Sequence, residues 1–191
     1  MAHPFFTIGH STRTIDEFAE LLNSQDVRIV VDVRTVPRSR TNPQFNQDTL
    51  TESLARLGIG YVHIPALGGL RGRRAEMGAS PNTIWKNESF RNYADYAMTE
   101  PFMAGLLKLV EIGHAARSAI MCAETVWWRC HRRIIADYLV SHGERVMHIL
   151  GRGRVDPAEL SAAARLSAKG LLIYDVRPAS DLSRQSGTPP S

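Results

Sequence analysis

Apolar positions divide the chain into short continuous runs that alternate with amphipathic stretches. Residues 5–8 form an apolar run ending in Gly9-His10-Ser11. Thr14-Ile15-Asp16-Glu17 has the form of a capping box and opens a helix with Ile15, Phe18, Ala19 and Leu22 on one face. Residues 27–33 (VRIVVDV) are rich in β-branched side chains and nearly continuously apolar, as in a strand covered on both faces. The pattern then predicts a helix over 49–57, stopped by Gly58, and a strand over 61–64, broken by Pro65. Helices follow over 90–98 and 101–114, the second with Pro101 in its first turn. Residues 118–122 (SAIMC) read as a strand, and 131–141 as a helix burying Ile134, Ile135, Tyr138 and Leu139. A strand over 145–150, a helix over 157–166 and a short strand over 171–176 complete the pattern.

Strands alternating with helices of about ten residues predict an α/β fold, a single domain with a mostly parallel sheet and helices on both faces. A length of 191 residues suits one sizeable core, placed at 1–177, with 178–191 (PASDLSRQSGTPPS) read as a disordered tail. Two segments break the rhythm. Residues 36–47 are polar with two prolines, and 66–89 hold four glycines and three arginines without clear periodicity. Loops this long in a compact domain are often functional.

Composition narrows the setting. With 43% hydrophobic and 22% charged residues, the chain is globular rather than disordered. No apolar run is long enough to cross a membrane, and residues 1–11 lack the pattern of a secretory signal. Two cysteines make no disulfide framework, so free thiols in a reducing cytoplasm are expected. The net charge of +4 says less than its distribution. Arginines cluster as Arg34, Arg38 and Arg40, as Arg71, Arg73 and Arg74, and as Arg129, Arg132 and Arg133. Each cluster reads either as solvated surface or as a set of forks for phosphate or carboxylate.

In an open parallel sheet, ligands bind beyond the carboxyl ends of the strands. The predicted strands are followed there by His10-Ser11, by Asp32 and Arg34 leading to Arg38-Ser39, by Gly68-Gly69 and Arg71, by Cys122-Ala123-Glu124, and by Gly151-Arg152. Seven residues separate Cys122, at a strand end, from Cys130, at a helix start, so both sulfurs can reach one rim. A thiol at a helix N-terminus beside His131, Arg132 and Arg133 is favoured as thiolate, which makes Cys130 the better reactive sulfur and Cys122 its partner.

Four readings of the pair stay open: inert buried thiols; a nucleophile with Glu124, His131 or His10 as proton carriers; a metal site that adds His131 and His10 or His63; or a reversible disulfide. Trp127-Trp128 reads as a cap on the core or as a stacking surface for a base. Asp32 and Arg34 read as a structural or a catalytic ion pair. His114, His142 and His148 form no constellation. VVDVR is similar to the opening strand of rhodanese domains, but no Cys-x5-Arg loop accompanies it. A Walker loop, GxGxxG and HExxH are also absent.

The stretches TIGHST, VVDVRTVPRSRTNPQFN, YVHIPALGGLRG, SFRNYADYAMT and CAETVWWRCHRRIIADYL together resemble the conserved uncharacterised family called domain of unknown function 488, from about Thr7 to Leu150. The resemblance implies one α/β domain and a shared pocket containing His10, Ser11, Asp32, Arg34, Pro37, Ser39, Gly68, Gly69, Arg71, Cys122, Glu124, Cys130, His131 and Arg132. It supplies no reaction. In the family's usual pattern the residues between the glutamate and the second cysteine are more polar than Thr-Val-Trp-Trp-Arg.

The leading expectation is an enzyme, a cysteine-dependent hydrolase, transferase or redox protein, acting on an anionic substrate that contains phosphate or a nucleotide. Cys122, Glu124, Cys130 and His131 are its expected catalytic set. His10, Ser11, Asp32, Arg34, Arg38, Ser39, Gly68, Gly69, Arg71 and Arg132 are its expected substrate contacts. A module binding or processing nucleic acid through arginine-rich loops is the alternative, and a non-catalytic partner-binding protein the second. The sequence specifies no cofactor, no metal and no oligomeric state.

Overall fold

Thr14 caps the first helix as its sequence predicts: its hydroxyl accepts from the Glu17 N–H, and the Glu17 carboxylate accepts from the Thr14 N–H. The computed structural model, which describes residues 3–73 and 78–175, places this helix, α1 (Ile15–Asn23), after β1 (Phe5–Gly9). β2 (Ile29–Asp32), α2 (Gln47–Arg56) and β3 (Gly60–His63) follow. Then come α3 (Glu88–Tyr96), α4 (Glu100–Ala115), β4 (Ser118–Cys122), α5 (Arg132–Ser141) and β5 (Val146–Gly151). The chain continues with β6 (Arg154–Pro157), β7 (Ala164–Leu166) and β8 (Leu172–Tyr174). Short 3₁₀ turns at Pro43–Phe45, Pro65–Leu67 and Trp127–Arg129 punctuate the loops. α2 ends where Gly58 takes φ +71°, a conformation glycine adopts without strain.

The main sheet has six strands in the order β3-β2-β4-β1-β5-β6. Its first five are parallel, and β6 returns antiparallel along the edge. β1 and β4 are buried throughout, as continuous apolar runs require. α1 and α2 cover one face through Phe18, Leu22, Leu50 and Leu54. α3, α4 and α5 cover the other through Tyr93, Phe102, Leu106, Ile135 and Leu139. The architecture is therefore α/β with helices on both faces, as expected. The helix that follows β1 and the helix that follows β4 lie on opposite faces, although these two strands are neighbours. Such a switch point opens a crevice at the carboxyl ends of the two strands.

One predicted element is corrected. Residues 157–166 do not form the expected helix. The Ala158 N–H instead bonds the Val146 carbonyl at 2.9 Å, and the Ser161 N–H bonds Asp137 Oδ1 at 2.9 Å. Pairing with β5 and α5 overrides a helical pattern of proline, alanines and leucine. The last predicted strand shortens to β8 and pairs with β7 in a separate antiparallel ribbon. Tyr174 ties that ribbon to the body: its N–H bonds Asn82 Oδ1 at 3.0 Å and its hydroxyl bonds Asp137 Oδ2 at 3.0 Å. Arg74, Val176 and the predicted tail lie outside the described residues.

Candidate functional site

The hydrogen bonding between β1 and β4 runs on past the strand ends. The His10 N–H bonds the Cys122 carbonyl and the Ser11 N–H bonds the Ala123 carbonyl, both at 2.9 Å. Ser11 is left-handed, with φ 49°. Gly9 makes the approach feasible, since a Cβ there would lie 2.0 Å from the Glu124 carbonyl oxygen. Around this crevice lies a pocket of about 670 Å³. Its buried part holds His10, Arg34, Cys122, Tyr93 and Cys130. Val36, Arg38 and Ser39 line it from one long loop, Gly69 and Leu70 from the other, and Ser89 and Phe90 from the region where α3 begins.

Cys122, His131 and Cys130 meet in that pocket. His131 Nδ1 lies 3.9 Å from Cys122 Sγ and 3.6 Å from Cys130 Sγ. At the far side of the ring, Nε2 is 3.0 Å from the Val33 carbonyl oxygen. A carbonyl only accepts, so Nε2 carries a proton and Nδ1 is the atom that faces both sulfurs. Arg132 lies behind, with Nε–H 3.4 Å from Cys130 Sγ and Nη2 bonded to the Glu124 carbonyl. The Cys130 thiol is held well below the ordinary thiol range. The hydrogen bond from Cys122 is the largest cause, and His131 and Arg132 add to it against the penalty of burial. Cys122 moves the opposite way, raised first by its bond to Cys130 and then by burial. The two shifts run in opposite directions, and both favour Cys130 over Cys122 as the thiolate of the pair.

A second buried network borders the thiols. The Arg34 guanidinium bonds Asp32 through Nε at 3.0 Å and Nη2 at 2.6 Å, and Nη2 also bonds the Phe45 carbonyl at 2.8 Å. Tyr61 donates to the same carboxylate at 2.7 Å, and burial followed by that negative charge pushes its hydroxyl well above the ordinary phenol range, which keeps it protonated. Arg34 Nη1 points at His10 Nε2 from 3.3 Å. The other His10 nitrogen bonds the Ser11 carbonyl at 2.9 Å. Burial pushes His10 down to about 4, so it is neutral at pH 7 and its Nε2 accepts from Arg34. Its ring stacks on Phe45 at 4.2 Å.

The structure brings together His10, Ser11, Arg34, Arg38, Ser39, Gly69, Cys122, Glu124, Cys130 and His131 around the pocket. It places Asp32, Gly68, Arg71 and Arg132 outside the lining. Asp32 and Arg132 back the site from the interior, and Gly68 packs on Thr35. Arg71 turns away, bonding the Gly68 and Pro65 carbonyls at 2.9 and 2.8 Å and lying over the Tyr96 ring. The Glu124 carboxylate bonds the Val126 N–H at 3.1 Å on the exposed side of the pocket. His63 is spent on the Arg34 carbonyl. Gly151-Arg152 forms the turn into β6, where Arg152 pairs with Glu20. Phe90 and Tyr93 line the pocket without a signal of their own in the sequence, although they follow the long loop at 66–89, whose last residue, Ser89, also lines it.

The family described as "Domain of unknown function DUF488" matches residues 14–139. The chain belongs to this family. The DUF488 match spans the segments that deliver Arg34, Cys122, Cys130 and His131, whereas His10 and Ser11 precede it. No curated protein matches the chain, and no solved structure does. The Cys/His cluster therefore stands on its own geometry. Among the described residues no helix is long and apolar enough to cross a membrane.

Proposed function

We propose that this DUF488 protein is an enzyme whose reacting sulfur is Cys130 and whose substrate is a small molecule carrying an anionic group. One observation carries the reading. Two thiols and an imidazole converge at the buried end of a pocket whose exposed side carries Arg38 and Arg129. Neither arginine side chain has a hydrogen-bond or ion-pair partner among the described residues. Cys130 Sγ is the better nucleophile because it receives the Arg132 N–H and faces His131 Nδ1, which takes and returns a proton. Arg34, Arg71 and Arg132 are committed to acceptors within the protein, which supports a compact anion over a long nucleic-acid track. A phosphate or carboxylate between Arg38 and Arg129 gains charge-assisted bonds of roughly 1.5–3 kcal/mol each.

The test is alkylation by iodoacetamide under reducing, metal-free conditions, read cysteine by cysteine by peptide mass spectrometry, with inorganic phosphate as competitor. Cys130 is expected to label first, phosphate to slow it, and Arg38→Ala or Arg129→Ala to weaken that protection about tenfold. Equal, slow labelling of both thiols, indifferent to phosphate, sinks the proposal.

A further inference from the structure

We infer that Cys122 Sγ, Cys130 Sγ and His131 Nδ1 form a three-donor site for one zinc-class divalent ion, with the fourth coordination position open to the pocket. These donor atoms all lie within 4.8 Å of one another. In a tetrahedral site with Zn–S near ~2.3 Å and Zn–N near ~2.0 Å, sulfur and nitrogen ligands sit roughly 3.5 Å apart. The observed sulfur–nitrogen distances of 3.9 and 3.6 Å need only a few tenths of an ångström of adjustment.

The surroundings fit a ligating histidine. Its Nε2–H bonds the Val33 carbonyl at 3.0 Å, the outer contact that fixes the tautomer and aims the opposite nitrogen at a metal. Gly69 lies over the ring: a Cβ there would be 2.4 Å from Nδ1, and 2.8 and 2.9 Å from Cγ and Cε1. Those three distances place it above the face of the imidazole, so the in-plane lone pair of Nδ1 stays free. Arg132 Nε–H on Cys130 Sγ is a second outer contact. Two thiolates neutralise a divalent cation, and binding releases the thiol protons that remain to solvent. Soft sulfur donors select zinc or cobalt over magnesium or calcium.

Among the described residues no other histidine, cysteine or carboxylate joins the three donors. His10 Nε2 is occupied by Arg34, His63 by the Arg34 carbonyl, and the Glu124 carboxylate by Val126 N–H. All three donor residues line the pocket, so an anionic oxygen or a water completes the shell from that side. An ion on Cys130 Sγ and His131 Nδ1 occupies the sulfur and the proton carrier of the proposed reaction, so that reaction belongs to the metal-free form.

The experiment titrates the reduced, metal-free full chain with Co²⁺. A thiolate-to-cobalt charge-transfer band is expected, saturating at one equivalent and bleached by Zn²⁺. His131→Gln is expected to lose at least ~10-fold in affinity, while His114→Gln, exposed and paired with Glu144 away from the pocket, titrates like the parent. Cys122→Ser and Cys130→Ser should each diminish the band. If either fails to fold, Zn²⁺ protection of both thiols from alkylation in the parent chain gives the same answer. No saturable band in excess cobalt, or a band indifferent to His131→Gln, overturns the inference. Phosphate-sensitive labelling of the metal-free protein reports separately on the proposed reaction, so the two can fail independently.

Discussion

Asp32→Ala is the sharpest test of how the pocket is held. The carboxylate is fully buried, while its partner Arg34 is 6% exposed. Asp32 accepts from Arg34 Nε and Nη2, from the Arg34 N–H at 3.0 Å, and from the Tyr61 hydroxyl. Truncation strands a cation with only the Phe45 carbonyl and the neutral His10 as partners. Breaking a buried pair on one side costs about 3–5 kcal/mol, and the orphaned Tyr61 hydroxyl adds roughly 1 kcal/mol. At a urea slope of about 2 kcal/mol/M, the unfolding midpoint falls by roughly 2–3 M with the slope unchanged. Urea titration followed by far-UV circular dichroism measures this directly. Asp32→Ala with Arg34→Met removes the charge as well, and should recover most of the loss. A midpoint shift below about 0.5 M for the single variant, or no recovery in the double, refutes the idea that this pair is the frame of the site.

Three further outcomes are expected. Burial, with Arg132 adding to it, pushes His148 down to about 4 from an ordinary 6.5. The unfolded chain therefore takes up a proton the native state refuses, and stability falls as pH drops from 6.5 towards 4. At pH 5 this costs about 2 kcal/mol, so urea midpoints at pH 7 and 5 should differ less in His148→Phe than in the parent; equal differences contradict the assignment. Gly9→Ala forces a methyl group into the Glu124 carbonyl and should cost about 1–3 kcal/mol, a melting-temperature loss of about 2–4 °C per kcal/mol by calorimetry. Thr14→Ala removes the cap of α1 and should cost about 0.5–2 kcal/mol in the same assay, whereas Thr14→Ser should be nearly silent.

Much of this architecture was legible because it follows from local rules. The capping box at Thr14 and Glu17, the continuous apolar runs of β1 and β4, and Gly58 after α2 each act within a few residues. The location of the pocket followed from a rule of sheet topology, which brought Cys122 and Cys130 together from a strand end and a helix start. What stayed hidden depends on partners with no sequence signature. Arg71 and Arg132 read as anion holders, yet both bond backbone carbonyls, groups that every residue carries. The tautomer of His131 depends on the carbonyl of Val33, which is far away in sequence. Residues 157–166 have good helical propensity, but pairing with β5 and the Asp137 carboxylate outweighs it.

The β7–β8 ribbon gives the site a timetable. Tyr174 reaches back to Asn82 and stacks obliquely on Trp85, which lies parallel to Phe90 in the pocket wall. One side of the pocket is thus braced by the end of the described chain, past the stretch that defines the family. A nascent chain that has emerged only through α5 already carries both cysteines and the histidine, but not this brace. The cysteines are thus translated ahead of the ribbon whose tyrosine braces one wall of their pocket. A chain cut before the ribbon keeps both cysteines and the histidine but loses the Tyr174 contacts to Asn82 and Trp85 behind Phe90.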